Sequence, residues 1–396
     1  MKEVKYAIIG AGIAGVSAAE TIRRRDPDGE IVLFSAERQL PYSRPMLTKK
    51  PLRSLFLHQH PIREADWYRD MRIGLLTGVR VLSLDRQARL IRTAQEDYHY
   101  SKCILATGAV SFMPPFPGSE LEGVYTVRTE ADMAAVMLRA SFSRRAVIIG
   151  GGVIGMECAF LLSEYGLDVT LLEAMPYLMA KQLDQETSET YRACLSGMQV
   201  FTNIAVAALE GGREVEGVRL QDGRFFPCEL VLVSCGVRAE TALAAAAGLE
   251  VNRGVVVDES MRTTDENIYA CGDCAEFRGE NYALWAEALP QGCVAGENVS
   301  GGSAVYTGCD HSLIINHPKY ALFAIGELHA GQPVSHCSVE EAPDGRFEVN
   351  TRQKAQYSRL FYDGKRLCGA ALIGNLSALH SIRSELLNGE RKTDEY

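Results

Sequence analysis

Long apolar runs are missing from this chain. None approaches the ~18 residues that a bilayer-spanning helix needs, so a helical membrane protein is not expected. A basic n-region, apolar core and small-residue cleavage site are missing too. A strand pattern begins almost at once, Val4 to Ile9, so no secretory leader is expected and the cytoplasm is the expected compartment. Positive charge is in the minority: 41 Lys and Arg against 50 Asp and Glu give a net charge of −9. That argues against general nucleic-acid binding, which needs a basic surface to release phosphate counterions. Two local basic clusters remain, Arg23-Arg24-Arg25 and Lys49-Lys50 with Arg53, and charge runs of this kind read first as solvated faces. Low-complexity tracts are absent. The 11 cysteines are scattered and odd in number, which suits reduced thiols packed as small apolar residues better than a disulfide framework. None precedes Cys103.

What the chain does have is length for two or three domains, 396 residues at 47% hydrophobic and 23% charged, and 36 glycines. Some of those glycines form a motif that occurs twice. Tyr6-Ala7-Ile8-Ile9-Gly10-Ala11-Gly12-Ile13-Ala14-Gly15 is an apolar run, read as a buried parallel strand, opening into G-x-G-x-x-G. Val16 to Ile22 continues as a helix, Ile31 to Phe34 as a second strand, and Glu37 follows at the distance of an acid that bonds an adenosine ribose. The pattern returns at Ala146-Val147-Ile148-Ile149-Gly150-Gly151-Gly152-Val153-Ile154-Gly155, with a helix from Met156 and a strand Val169 to Leu172 ending at Glu173. The glycines Gly10, Gly12 and Gly15, and Gly150, Gly152 and Gly155, give a tight turn, close approach of backbone to pyrophosphate, and close helix-to-strand packing. The helix N-terminus then offers N–H groups and a positive dipole end to phosphate. One such motif is a weak signal; two complete copies imply two dinucleotides. The natural pairing is FAD with a nicotinamide nucleotide, because a hydride can pass between them.

With these motifs the chain resembles the two-dinucleotide flavoprotein reductases, the broad group of disulfide, ferredoxin and rubredoxin reductases. Three further segments carry the resemblance. Ile104-Leu105-Ala106-Thr107-Gly108-Ala109 is similar to the family's crossing strand, and Thr264 to Asp273 to its second FAD motif. Trp285 to Asn298, with Gln291-Gly292 after Pro290, is similar to the helix that faces the flavin's N1–C2=O edge, where a helix N-terminus stabilises the negative charge left by hydride transfer. The resemblance implies an α/β fold with two Rossmann-like domains, the NAD domain inserted in the FAD domain, and a small α+β C-terminal domain. The expected boundaries are 1–110 and 236–308 for FAD, 111–235 for NAD and 309–396 for the C-terminal domain. The turn-rich Met113 to Gly118 leads into the insert, Asp363-Gly364 reads as a hairpin turn, and a last helix is expected around Leu376 to Leu387. The FAD contacts implied are Gly10, Gly12, Gly15, Glu37, Arg44, Pro45, Thr107, Gly108, Asp273 and Gln291.

Glu173 favours NADH, since an acid there bonds the 2′-hydroxyl and repels a 2′-phosphate, and no basic residue follows before Lys181. Where related disulfide reductases carry a reactive thiol, this chain reads Leu40-Pro41-Tyr42-Ser43-Arg44-Pro45-Met46-Leu47-Thr48-Lys49. No redox-active disulfide is therefore expected. The segment resembles that of ferredoxin and rubredoxin reductases, which implies a flavin-proximal ion pair of Lys49 with Glu157, weighed against a surface lysine and an ordinary helix glutamate. Cys271-Gly272-Asp273-Cys274 has redox-pair spacing, but Asp273 is the residue the FAD motif needs and no second such pair completes a metal site, so no metal is expected. His317-Pro318 is read as structural.

The function expected is an NADH-dependent FAD oxidoreductase passing electrons to a small rubredoxin-like carrier, docked on the Lys49-Lys50-Arg53 cluster. The chain length, Pro41 to Pro45 and Gln182-Leu183-Asp184 resemble bacterial NADH:rubredoxin reductases. A ferredoxin reductase or a nitrite-reductase-associated diaphorase is the alternative, and a non-enzymatic flavin-binding scaffold the alternative of another class. Monomer and homodimer both remain open.

Overall fold

The structure, a computed structural model, describes residues 1–49, 60–195, 197–308, 312–317, 319, 321–328, 332–338, 356–363 and 366–388. The chain forms two compact units, residues 1–47, 52–112 and 237–309, and residues 48–51, 113–236 and 310–396. Both are α/β, and each holds a Rossmann-like parallel sheet.

In the first unit Lys2–Ile9 lies between Ile31–Phe34 and Asp97–Leu105, parallel to both, with Ala7 opposite Val32 and Cys103. Ile73–Leu76 extends one side and Ile268–Ala270 pairs with Asp97–Leu105, again in parallel. Ile8, Leu33 and Ile104 are buried, as expected where helices cover both faces of a parallel sheet. The helices Ile13–Arg25 and Trp285–Val299 pack tightly because Gly292 and Gly296 lack side chains. A Cβ on them would fall 2.2 Å from the Ala14 carbonyl oxygen and 2.6 Å from that of Ala18. Pro290 sits inside the second helix.

Of the expected solvated face Arg23-Arg24-Arg25, Arg24 and Arg25 are exposed, but Arg23 is a correction. Arg23 is buried and donates to the carbonyls of Met71 (2.7 Å), Asp26, Pro27 and Gly29 (2.9 Å each) and Arg72 (2.7 Å). A guanidinium carries five donors, and here it closes the loop after the helix instead of facing solvent. Asp26 fixes the same corner. Its carboxylate accepts from Lys5 Nζ at 2.6 Å, Tyr6 Oη at 2.9 Å and the Gly29 N–H at 2.9 Å. The Lys5 hydrogen bond, with Tyr6 and Gly29, holds the carboxyl down to about 2 from an ordinary 3.8. The folded-state pKa lies below the unfolded one, so this stabilisation is complete above the ordinary value and lost as pH falls toward the folded one. Asp26→Asn is expected to cost ~1–2 kcal/mol at neutral pH, discounted for the exposed lysine. Urea melts at neutral and strongly acidic pH check this: the deficit should vanish in acid.

In the second unit the parallel order is Gln199–Phe201, Asp168–Leu172, Arg145–Ile149, Leu230–Val233, Val124–Tyr125. The helix Glu130–Ala140 starts on a Thr129 capping box with Asp132. A three-stranded antiparallel sheet, Val206–Gly211, Val215–Leu220 and Phe225–Pro227, is added before the last parallel strand. The C-terminal sheet is antiparallel and five-stranded, with Gln356–Asp363 paired to Arg366–Gly374, followed by the helix Leu379–Asn388. Gly364 of the expected turn lies outside the described residues. This sheet shares its unit with the inserted dinucleotide segment. Arg359, buried, pairs with Asp184 at 3.0 Å and Glu186 at 2.5 Å, at the start of the helix Gln185–Cys194. No helix among the described residues is long and apolar enough to cross a membrane.

Candidate functional site

The two glycine triads lie in equivalent places, one in each unit, between the first strand of a parallel sheet and the helix that follows. Gly10 has φ +112°, and a Cβ on it would fall 2.0 Å from the Ala106 carbonyl oxygen. A Cβ on Gly15 would fall 2.0 Å from the Gly10 carbonyl oxygen. Backbone and packing therefore demand glycine at both positions. Gly12 is different. Its φ of −72° suits any residue, and apart from its chain neighbours no atom among the described residues lies within 4 Å of where its Cβ would be. Nothing in the polypeptide requires glycine there; what the missing side chain leaves is room beside the uncapped start of the helix Ile13–Arg25. The pyrophosphate of a dinucleotide fits that cradle.

The second triad repeats the pattern. Gly150 has φ +111° with the Ser234 carbonyl oxygen 2.2 Å from a built Cβ, and Gly155 would meet the Gly150 carbonyl oxygen at 2.0 Å. Gly152, at φ −80°, faces open space. Glu173, beyond the strand Asp168–Leu172, turns back on this loop. One oxygen accepts from the Gly151 N–H at 2.5 Å, the other from the Met175 N–H at 2.6 Å. An anionic carboxylate is thus fixed at the second turn of the dinucleotide fold.

Other expected FAD residues gather in the first unit. Glu37 accepts from Arg44 and from Tyr42 Oη at 2.7 Å. Pro45 is central in the short 3-10 helix Arg44–Met46. Burial works against the Arg44 charge, but Tyr42, Glu37 and Asp273 more than offset it and hold its pKa above the ordinary value. Arg44 is therefore electrostatically coupled to both Glu37 and Asp273. Asp273 stands in a one-turn 3-10 helix, Gly272–Cys274, whose glycine takes φ +74°. Thr107 and Gly108 close the crossing segment: Thr107 Oγ1 donates to the Glu240 carbonyl at 2.7 Å, and the Gly108 carbonyl accepts from the Glu240 N–H at 2.9 Å. Gln291 is buried and its side-chain oxygen accepts from the Gly272 N–H at 2.8 Å. That bond ties the helix Trp285–Val299 to the aspartate turn, a role the sequence does not announce.

Glu157 and Lys49 meet in the second unit. Glu157 is buried on the helix Val153–Glu164, and Lys49 Nζ lies 3.7 Å from its Oε1. Thr48, which sequence reasoning missed, donates its hydroxyl to Oε2. Burial pushes the Glu157 carboxyl above its ordinary range, while the Thr48 and Lys49 contacts pull the other way. Lys50 and Arg53, the rest of the expected docking cluster, lie outside the described residues.

The remaining candidates resolve toward structure. Cys271 and Cys274 are free thiols, fully buried, and burial pushes both upward in pKa. Cys274 Sγ donates to the Leu105 and Cys271 carbonyls, 3.3 Å each. Thiols held neutral and away from solvent are poor nucleophiles. His317 stacks on Phe160, ring centroids 4.7 Å apart, with Nε2 3.1 Å from Glu164 Oε1. No group of three His, Cys, Asp or Glu residues poised for a metal is found among the described residues.

Comparison with known proteins follows the same lines. A family model described as pyridine nucleotide-disulphide oxidoreductase matches residues 4–292. The NAD(P)H nitrite reductase of Bacillus subtilis (strain 168) is 30% identical over 95% of this chain and 46% of its own length. The rubredoxin-NAD(+) reductase of Pseudomonas putida is 36% identical, covering 68% of this chain and 72% of that protein. Among solved structures, a ferredoxin reductase from Rhodopseudomonas palustris superposes with a TM-score of 0.85 at 27% identity, covering 98% of this chain and 96% of that one. The chain spans about half the length of several of the curated relatives it matches.

Proposed function

This chain belongs to the pyridine nucleotide-disulphide oxidoreductase family, whose cofactors are FAD and NAD(P)H, and on that premise we propose that it is an NADH-dependent reductase serving a small one-electron carrier protein, rubredoxin first. The observation that carries this reading is the pair of glycines, Gly12 and Gly152, that neither backbone conformation nor packing requires. Each leaves space at the start of a helix where a dinucleotide's pyrophosphate would approach. Together the two cofactors would supply hydride transfer and one-electron delivery to an acceptor.

The chain's own residues divide the work. Gly10, Gly12 and Gly15, with Glu37 and Asp273, would hold the two ends of FAD; Arg44 and Pro45, Thr107 and Gly108, and Gln291 would shape the rest of its bed. Gly150, Gly152, Gly155 and Glu173 would hold NADH. Glu173, fixed by two backbone N–H groups, presents negative charge to the adenosine ribose, which accepts a 2′-hydroxyl and repels a 2′-phosphate. Lys49 and Glu157 would form the charged pair that assists hydride transfer. The lack of any cysteine before Cys103 supports one-electron delivery without a redox-active disulfide. The rubredoxin and ferredoxin reductases among the relatives support a carrier protein as acceptor.

A second reading has an observation of its own. The Bacillus subtilis nitrite reductase matches 95% of this chain with less than half of itself, as a flavin-reducing segment feeding further centres would.

The test of the nucleotide assignment is anaerobic reduction of the bound flavin by NADH and by NADPH. The wild-type protein is expected to prefer NADH by tenfold or more, and Glu173→Arg to lose most of that preference, on the order of 1–2 kcal/mol. An unchanged preference in Glu173→Arg would remove Glu173 from nucleotide selection.

A further inference from the structure

Thr48 has no part in the reading above, yet it makes the tighter of the two contacts to Glu157. Its hydroxyl donates to Oε2, while Lys49 Nζ stands 3.7 Å from Oε1. Consecutive residues thus serve the two oxygens of one buried carboxylate, in different ways. At 3.7 Å the ammonium acts on the carboxylate mainly through its charge, as the longer of the two contacts. Thr48 has one donor and commits it to Glu157. We propose that Thr48 is a positioning residue: its hydroxyl holds the Glu157 carboxylate in place beside the Lys49 ammonium.

The inference rests on the proposed role of the Lys49–Glu157 pair. The charge balance around Glu157 agrees with it. Burial is the largest influence and raises the carboxyl's pKa; among the opposing ones the Thr48 hydrogen bond comes before Lys49. Among the described residues, the titratable groups that interact with Glu157 are Lys49 from the loop and Cys158 from its own helix, whose thiol burial pushes far up.

The test compares Thr48→Val, which keeps the shape and removes the hydroxyl, with Thr48→Ser, which keeps the hydroxyl. In the holoenzyme, Thr48→Val is expected to slow anaerobic flavin reduction by NADH about tenfold, the size of losing a hydrogen bond to a charged group, with flavin content unchanged. Thr48→Ser is expected to stay within about twofold of wild type. A second readout does not depend on turnover. In protein labelled with ¹³C at glutamate carboxyls, the Glu157 signal, assigned by its loss in Glu157→Gln, should titrate at higher pH in Thr48→Val and as in wild type in Thr48→Ser. In a Glu157→Gln background, Thr48→Val should add nothing. Equal losses in Val and Ser, an unmoved carboxyl titration, or additive effects in the double variant would overturn the proposal. If Lys49→Ala slows reduction while Thr48→Val does not, Thr48 alone is discarded. If Lys49→Ala and Glu157→Gln both leave the rate unchanged, the reading of the pair is what fails.

Discussion

Gly12→Val is expected to yield a folded protein that purifies without flavin, whereas Gly10→Ala, a smaller change two residues away, is expected to unfold the first unit. The difference follows from what each glycine faces. At Gly10 a methyl group would meet the Ala106 carbonyl oxygen at 2.0 Å, in a backbone conformation of φ +112° that L-residues avoid. Strain and overlap together cost about 3–5 kcal/mol, a large share of a domain's stability. At Gly12 the φ is ordinary and the space empty, so valine loses at most ~1 kcal/mol as a poorer helix cap. Its branched side chain instead fills the position the pyrophosphate would take. The check is flavin absorbance per polypeptide and a thermal melt, with flavin-stripped wild type as the stability reference because bound ligand itself raises Tm. Gly12→Val should match that reference. The same logic in the second unit separates the cofactors: Gly152→Val should keep FAD and lose NADH. Full flavin occupancy in Gly12→Val would show that nothing approaches that glycine.

The second large effect concerns Lys49 and Glu157. Lys49→Ala is expected to lower the rate of flavin reduction by NADH about 10²-fold, with flavin content and fold retained, because Lys49 is partly exposed and makes no packing core. Glu157 is buried, and removing its cation adds to the penalty that burial already imposes, so its carboxyl should titrate still higher in Lys49→Ala than in wild type. Glu157→Gln keeps the shape while deleting the charge, and should slow reduction to a similar degree. Stopped-flow absorbance of the flavin, with NADH concentration varied to separate binding from the reductive step, reads both. A Lys49→Ala rate equal to wild type would return the pair to the bland alternative, a surface lysine beside an ordinary helix glutamate.

Much of this architecture was legible in the sequence because its signals are local. A parallel strand buried on both faces is an unbroken apolar run, as in Tyr6 to Ile9 and Ala146 to Ile149, and a strand-to-helix turn over a phosphate needs glycines at fixed offsets. What escaped reading depends on pieces far apart in the chain. Nothing near Gly292 and Gly296 says that Ala14 and Ala18 will lie against them; only the closed fold makes two helices touch through glycine. Arg23 has the sequence environment of a solvent-facing charge, and its burial follows from a loop whose carbonyls converge on one point. Thr48 sits beside an expected lysine but reaches a glutamate 109 residues away. Arg359 looks like one charge in an alternating strand, yet it joins the C-terminal sheet to the residues opening the helix Gln185–Cys194. The C-x-x-C at Cys271 and Cys274 is the converse case, a pattern with chemical promise whose thiols the fold buries and holds neutral.

The family's name carries a disulphide, and no cysteine precedes Cys103 in this chain, so the acceptor separates the readings. The direct test is anaerobic rapid mixing. Flavin in the purified protein is first reduced with NADH, then mixed in separate runs with oxidised rubredoxin, with a ferredoxin, and with a low-molecular-weight disulfide. The account predicts fast flavin reoxidation with bleaching of the rubredoxin iron chromophore, slower reoxidation by ferredoxin, and none by the disulfide. Reoxidation by the disulfide, with the iron chromophore unchanged, would contradict it.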